Sequence, residues 1–506
     1  MEPSLTLNPA PTPRPGFALL VGLIALVAVG KAILADTLDP DCFWHLRVGQ
    51  EIAQMGWPRP LVDDLSFAST RQPWTPYSWL AELAMKRLWD QGGYRAAVAA
   101  QAAMEAGFIV LLALAALEAS ESATGRPRYL ASALGAAGGA VLSLAYLSFR
   151  PVTAAIFMLA LIAWLLLRDR RMEQKSRAVW LIPPLVAVLV NVHFFAFLVP
   201  LWTGALMVGD VIEKRAANLQ RRPGRDLLLT ALCALACTMT PLLPGMVRSV
   251  VNYSFSDVLV RSPVIVEMQP FYGGTMGHVS AALVLLLAAL TLWRLRPVSL
   301  GGQTVRVGVG ELIWLAGSAI LLLRFGRMAP VFAIIASPML AATLPGFSER
   351  VLVRPLVMIL IAGVLAIGSF RIVRAFPAAS LPISAWLNRQ GPAAAGYPCA
   401  AADFVDSHIE SKTGRLICEF PWGGYLEWRL GNRFALLMDG RTQVFSADFW
   451  KSTYLGTAQD RQRIISTASA DAAIIPAGHS LFAADLLALH WKPIYHDDRA
   501  MVMVPP

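Results

Sequence analysis

Three carboxylates fall within six residues in the run Asp36-Thr37-Leu38-Asp39-Pro40-Asp41, directly after the first long apolar stretch of the chain. Carboxylates so close together suit two kinds of chemistry. One can take a proton from an attacking hydroxyl as a general base, or the set can hold a hard divalent cation such as Mg²⁺, Mn²⁺ or Ca²⁺. They can equally cap a helix, because Asp favours the N-cap and Pro the first turn. His45 lies four residues beyond Asp41 and could share a helical face with it. Positive charge is available further along, where Arg150 precedes Pro151 and Arg324 and Arg327 flank Phe325-Gly326. An arginine presents a planar, permanently charged fork that matches a phosphate; snorkelling to lipid headgroups is the plainer use. Asn191 and His193 interrupt an apolar run, Glu267 sits in a polar loop, and Asp439-Gly440-Arg441 follows a strand-like stretch, where a turn is the default.

The elements that must position these residues are mostly apolar. Of 506 residues, 56% are hydrophobic and 15% charged, against about a quarter charged in soluble domains. Mean hydropathy is +0.55. The apolar runs fill residues 17–370, and ordinary soluble sequence follows. A spanning helix needs about 20 apolar residues, which places spans near 17–35, 95–117, 130–149, 152–167, 178–191, 195–212, 227–243, 279–293, 310–323, 328–344 and 355–370. Taken as one helix, 178–212 would exceed about 50 Å, so Asn191 and His193 should mark a turn; the same argument splits 310–344 at Arg324–Arg327. The net charge of +10 comes from short loops. Arg168, Arg170, Arg171, Lys175 and Arg177 fill one, Lys214 to Arg225 another, and Arg294–Arg306 and Arg350–Arg354 two more. All four fall on the N-terminal side, which the positive-inside bias assigns to the cytoplasm. That distribution argues against nucleic acid as a partner.

The expected organisation is thus a disordered N-terminus (1–16), a membrane body (17–370) with a first outer loop at 36–94, and an extracytoplasmic α/β domain at 375–506. In the first loop, Trp44, Val48, Ile52 and Met55 recur at helical spacing, which predicts an amphipathic helix on the membrane surface. A second helix should begin near Pro76. The C-terminal part alternates strand-like and helix-like pieces: strands at 415–420, 434–438, 473–476 and 494–504, with helices between them. That order predicts a small α/β layer, and no GxGxxG motif follows a strand. Of five cysteines, Cys399 and Cys418 are the pair that could form a disulfide.

Asp39-Pro40-Asp41-Cys42-Phe43-Trp44-His45-Leu46-Arg47-Val48-Gly49, then Gly56, Asp63, Ser66-Phe67, Pro73-Trp74 and Trp79-Leu80-Ala81-Glu82, resemble a family of bacterial multi-pass membrane proteins. Arg150-Pro151, Asn191-Val192-His193, Glu267, Arg324–Pro330, Trp422–Leu426 and Asp439-Gly440-Arg441 extend the resemblance over most of the chain. Many members carry an acidic or His-Glu pair ahead of the position of Trp79, where this chain has Tyr77-Ser78. The family looks related to GT-C-type glycosyltransferases. The resemblance implies an enzyme of the bacterial inner membrane that takes a sugar from a polyprenyl-phosphate-linked donor and passes it to a glycan, lipid or protein acceptor at the outer face. It implies Asp39, Asp41 or Asp36 as base. Asp39 and Asp41 are the metal ligands if Mg²⁺ or Mn²⁺ takes part. Arg324, Arg327 and Arg150 become candidates for the donor phosphate, and His45, His193, Asn191, Glu267, Asp439 and Arg441 for substrate contact. A transporter or flippase for a lipid-linked glycan, or a non-catalytic scaffold presenting the C-terminal domain, remain the other readings of the same sequence.

Overall fold

A computed structural model describes residues 15–35, 38–217, 221–259, 262, 264–270, 307–344, 348–389 and 396–506. Asp36 and the span expected at 279–293 lie outside the described residues. The first helix, α1 (Pro15–Gly30), starts inside the stretch expected to be disordered and continues as a wider π turn over Lys31–Ala35.

The body is helical. After α1 come α2 (Pro40–Met55), α3 (Trp79–Thr124), α4 (Tyr129–Ser143), α5 (Pro151–Arg171), α6 (Ile182–Val192), α7 (Leu198–Ala217), α8 (Pro223–Ala236) and α9 (Leu243–Phe255). Then follow α10 (Val309–Arg324), α11 (Ala329–Thr343) and α12 (Pro355–Ala375). Among the described residues seven helices are long and apolar enough to cross a membrane, and Ala178–Val192 is a shorter apolar one. The chain is a multi-pass membrane protein. Two further expected spans are shorter than a full crossing: α8 has 14 residues and α10 has 16. The turns expected from length are present. α6 ends at Val192 and His193 is extended, at φ −165°, before the next helical turn; α10 ends at Arg324 and a 3₁₀ turn over Gly326–Met328 leads into α11.

Local sequence explains α2. Asp39 is its N-cap and accepts from the Asp41 amide, Pro40 occupies the first turn, and Gly56 ends it at φ +74°, a conformation that costs a side-chain-bearing residue. Its setting differs from the expected membrane surface. Trp44, Val48 and Ile52 pack into a core with Ile417, Leu437 and Met438 of the C-terminal part, while Phe43 and Leu46 join a second core with Trp386 and Leu426. Phe43 alone meets the rings of Trp89, Tyr397, Tyr425 and Trp428 at 5.3–6.3 Å. The sequence period describes an apolar stripe, and a protein layer covers it instead of lipid. The second helix expected in the first loop is continuous with the span after it. α3 runs 46 residues and breaks only at Gly93, whose φ of +57° and ψ of −150° suit glycine alone.

The C-terminal part holds a five-stranded sheet: β3 (Gly414–Cys418), β4 (Phe434–Leu436), β5 (Ala472–Pro476), β6 (Lys492–His496) and β7 (Ala500–Val504), in the order β4-β3-β5-β7-β6. The first loop holds a two-residue antiparallel ladder, β1 (Leu61–Val62) with β2 (Pro73–Trp74). β3 runs parallel to β4 and β5, and β7 antiparallel to β5 and β6. The single strand expected at 494–504 is a hairpin, because Asp497 accepts from the Arg499 and Ala500 amides and turns the chain back. The first loop adds to the β4 edge: Leu436 donates to the Leu65 carbonyl at 2.8 Å, and Phe67 donates to the Leu436 carbonyl at 2.9 Å. All five cysteines are free and buried, so the Cys399–Cys418 pairing does not form; Cys418 points its thiol at the Met438 carbonyl instead.

Candidate functional site

The N-terminus of α2 places two of the first-loop carboxylates where three separate elements meet. Asp39 is fixed by its capping bond and by Ser148, whose hydroxyl donates to it at 3.2 Å. Asp41 accepts from the Trp44 indole at 3.0 Å and from Arg150 at 3.2 Å. Arg150 stands just before α5, where Pro151 starts the helix, and its guanidinium also reaches Glu267 at 3.4 Å and Asp39 at 3.5 Å. Glu267 in turn meets Arg327, in the turn before α11, at 3.6 Å. The chain Asp39, Asp41, Arg150, Glu267, Arg327 is therefore one alternating array of three carboxylates and two guanidiniums. Its carboxylates keep 22–31% of their side-chain surface open, while Arg150 keeps 11%.

The surroundings set the proton affinities. Burial and the neighbouring Asp39 push the Asp41 carboxyl up to about 6, against the pull of Arg150 and the Trp44 bond. Burial alone would raise Glu267 as well, but Arg327 and Arg150 outweigh it and hold its carboxyl down at about 2. Two similar carboxylates within one cluster are thus driven apart, one ionised at any ordinary pH and one titrating just below neutral.

His45 does not share Asp41. It pairs with Glu82 at the start of α3, at 2.9 Å, and burial together with Arg150, His193 and Arg441 keeps its ring neutral. His193 caps the turn before α7 by accepting from the Phe195 amide; burial, Arg327 and Arg150 likewise hold it neutral. Its ring lies 5.9 Å from that of Tyr77. Asn191 is committed to the same turn. Its amide donates to the Ala187 and Met239 carbonyls, and its oxygen accepts from Trp79 at 2.8 Å. Arg324 parts company with Arg327. It is exposed, donates to the Ser254 carbonyl and lies against Phe255 and Phe325, so the structure brings only one arginine of that pair to the cluster. Asp439 and Arg441 are buried in a network with Asp63 and Glu427, which closes both side chains to an acceptor.

Neither a protein-family model nor a curated protein matches the chain. Solved structures do. The apo oligosaccharyltransferase of Archaeoglobus fulgidus matches 91% of this chain and 69% of its own, at 12% identity and a TM-score of 0.50. The chain has the GT-C fold. The same archaeal enzyme in complex with zinc and sulfate matches 90% of this chain and 68% of its own at 13% identity, with a TM-score of 0.49. ArnT from Cupriavidus metallidurans, bound to undecaprenyl phosphate, matches 96% of this chain and 98% of its own at 14% identity, with a TM-score of 0.41.

Within this GT-C fold, no three His, Cys, Asp or Glu side chains among the described residues form a group that could hold a metal ion. Asp39 and Asp41 are two of the donors a cation would need, but Arg150 lies between them and supplies positive charge at that place. Sequence reasoning missed Ser148, which bonds both Asp39 and Arg150, and Trp44 as the partner of Asp41. Ser148 could have been weighed through its place two residues ahead of Arg150. Trp44 lies three residues after Asp41 in the expected helix, a spacing that puts the two on one face and could have paired them.

Proposed function

We propose that this chain is a membrane glycosyltransferase that moves a sugar from a polyprenyl-phosphate-linked donor to an acceptor hydroxyl or amide at the outer face of a bacterial inner membrane. The observation that carries this reading is the Asp39–Asp41–Arg150–Glu267–Arg327 array, which sets a proton acceptor beside fixed positive charge at one end of the helical bundle. The oligosaccharyltransferase-like fold agrees with it.

In this reading Asp41 is the base. It takes the proton of the acceptor as the acceptor atom bonds to the sugar's anomeric carbon. The bond from that carbon to the phosphate oxygen breaks with both electrons, and polyprenyl phosphate leaves. A base titrating near 6 is ionised in roughly nine-tenths of molecules at pH 7 and still basic enough to pull a proton in the transition state. Arg327 and Arg150 neutralise the departing phosphate, as guanidinium groups do in phosphoryl sites, and neutral His193 offers it a further hydrogen-bond donor. Glu267 keeps the two arginines apart and oriented. Asp39 holds the helix cap and, through its charge, the proton affinity of Asp41.

In the same reading the N-terminus is cytoplasmic and the C-terminal sheet extracytoplasmic. α5 supports this, with Arg150 at one end and the basic run Arg168–Arg171 at the other, about 31 Å away for 21 residues. Alkaline phosphatase fused after residue 372 should be active, and fused within 168–177 nearly inactive; the opposite pattern would move the array to the cytoplasmic face. The chemistry is tested by Asp41→Asn, which preserves shape and removes proton-accepting ability. Transfer should fall by about 10²–10⁴-fold, whereas Asp39→Asn, a good cap in its own right, should cost far less. Full transfer by Asp41→Asn would overturn the assignment.

A further inference from the structure

The two glycine-bearing motifs of the C-terminal part, Trp422-Gly423-Gly424 and Asp439-Gly440-Arg441, meet at one place. The helix Phe420–Leu430, here α13, follows β3 and presents Gly423 to the 438–439 backbone, where a Cβ would stand 2.1 Å from the Met438 carbonyl oxygen. Gly424 backs onto the start of α2, where a Cβ would stand 2.7 Å from the Pro40 carbonyl oxygen. Gly440 is closer still to the array. A Cβ there would lie 2.3 Å from Asp41 Oδ1 and 2.9 Å from Trp44 Nε1, the two atoms that bond each other.

Arg441 fixes that turn in place. Its guanidinium gathers Asp439 at 2.5 Å, Asp63 of the first loop at 2.9 Å and Glu427 of α13 at 3.0 Å, all essentially closed to solvent. Ser66 donates to Asp439 from the first-loop segment that extends β4. One guanidinium against three carboxylates leaves an excess of negative charge, and burial keeps a proton on Glu427, whose carboxyl is raised well above its ordinary range. Removing one partner of such a buried set costs far more than the set contributes net, so the contacts that hold the turn are costly to break one at a time.

We propose that Arg441 and Gly440 are positioning residues of the transfer site: the Arg441 cluster ties the first loop to the C-terminal sheet and so presses the Gly440 backbone against the Asp41–Trp44 bond, fixing the carboxylate toward Arg150. The role in transfer rests on reading Asp41 as the base; the positioning of Asp41 does not. The groups facing Asp41 are Asp39, Cys42 and Trp44 at the start of its own helix, Arg150 ahead of α5, Glu267 of the 264–270 segment, the phenols of Tyr77, Tyr253 and Tyr397, and the 439–441 turn. A methyl group at 440 must push Asp41 off the Trp44 indole, and losing a donor to the charged form raises a carboxyl.

The test is an infrared pH titration of the full chain in nanodiscs, with the Asp41 band isolated by subtracting Asp41→Asn. Wild type should titrate near 6, and Gly440→Ala should move the midpoint up by about one pH unit. In a Trp44→Phe background the same substitution should add little, because the bond it disrupts is already gone. If Gly440→Ala does not fold, Arg441→Lys poses the question through the shorter, single-pointed ammonium and should shift the midpoint in the same direction. An unchanged Asp41 midpoint in the folded variant overturns the proposal, including when thermal stability falls. The titration needs no donor or acceptor. A shift seen together with full transfer by Asp41→Asn would sink the base assignment alone, and no shift together with lost transfer would sink the positioning role alone.

Discussion

Two arginine-centred clusters occupy opposite ends of α5. At one end, Arg150 gathers Asp39, Asp41 and Glu267. At the other, Arg170 binds Asp210 at 2.5 Å and Glu311 at 3.0 Å, Gln174 bridges Asp210 and Asp226, and Arg225 holds Asp169 with two bonds. The chemistry is nearly the same, but the openness is not. The carboxylates around Arg170 keep 0–9% of their side-chain surface, those around Arg150 22–31%. Closure also differs in kind. The Arg170 cluster ties α5, α7, α8 and α10 together within the bundle, whereas the Arg150 cluster is assembled from loops and helix starts, with the 439–441 turn of the C-terminal part packed against Asp41. A closed cluster can only hold helices together; a partly open one can exchange partners with a ligand.

Substitutions should separate the two. Arg170→Met leaves buried carboxylates unpaired and should destabilise the fold by about 3–5 kcal/mol, read as a large loss of thermal stability in detergent. Arg150→Met should cost much less stability and abolish transfer, because its partners can turn to water. Equal destabilisation by both would erase the distinction between the two clusters.

Phosphate recognition sharpens it further. Arg327→Ala should weaken binding of undecaprenyl phosphate roughly ten- to a hundred-fold, the worth of about 1.5–3 kcal/mol for a charged hydrogen bond. Arg324→Ala, which removes an exposed side chain that contacts Ser254, Phe255 and Phe325 but not the cluster, should leave it unchanged. The converse ranking, measured by calorimetry, would move the donor site away from Glu267.

A smaller effect lies in pH. Asp41 binds its proton more tightly in the folded chain, near 6, than its ordinary 3.8. Its contribution to stability therefore falls as pH rises from about 4 to about 6 and is flat above that, while the transfer rate should rise over the same upper limb. Asp41→Asn should accordingly be at least as stable as wild type at pH 7 while being inactive. An Asn variant that is both inactive and unstable at pH 7 would mark Asp41 as a structural residue. The smallest expected effect is that of a chelator. With Arg150 already between Asp39 and Asp41, transfer should survive EDTA; a loss restored by Mg²⁺ or Mn²⁺ would assign those two residues to a cation.

The sequence by itself determined most of the described helices of the membrane body, since a spanning segment must satisfy its backbone internally and must be apolar, but not α9, which falls in a stretch expected to be a loop. It also determined the turns at His193 and at Arg324–Arg327, which follow from helix length against bilayer thickness. The capping of α2 was legible in Asp39-Pro40, and the strand positions of the C-terminal part in its alternation, apart from the last hairpin; their order in the sheet was not. Only the tertiary structure decided which charges meet. Arg324 and Arg327 look equivalent along the chain, but one 3₁₀ turn sends them to different sides. Asp41 and His45 share a spacing, yet Trp44 takes the first and Glu82 the second. Asp439 and Arg441 read as a surface turn and are buried against Asp63, some 376 residues earlier for Asp439. Periodicity fixes which face of a helix is apolar, because that is a local property of 3.6 residues per turn. The partner of a charge depends on contacts between segments hundreds of residues apart, and on which protein layer, rather than lipid, covers an apolar stripe such as that of α2.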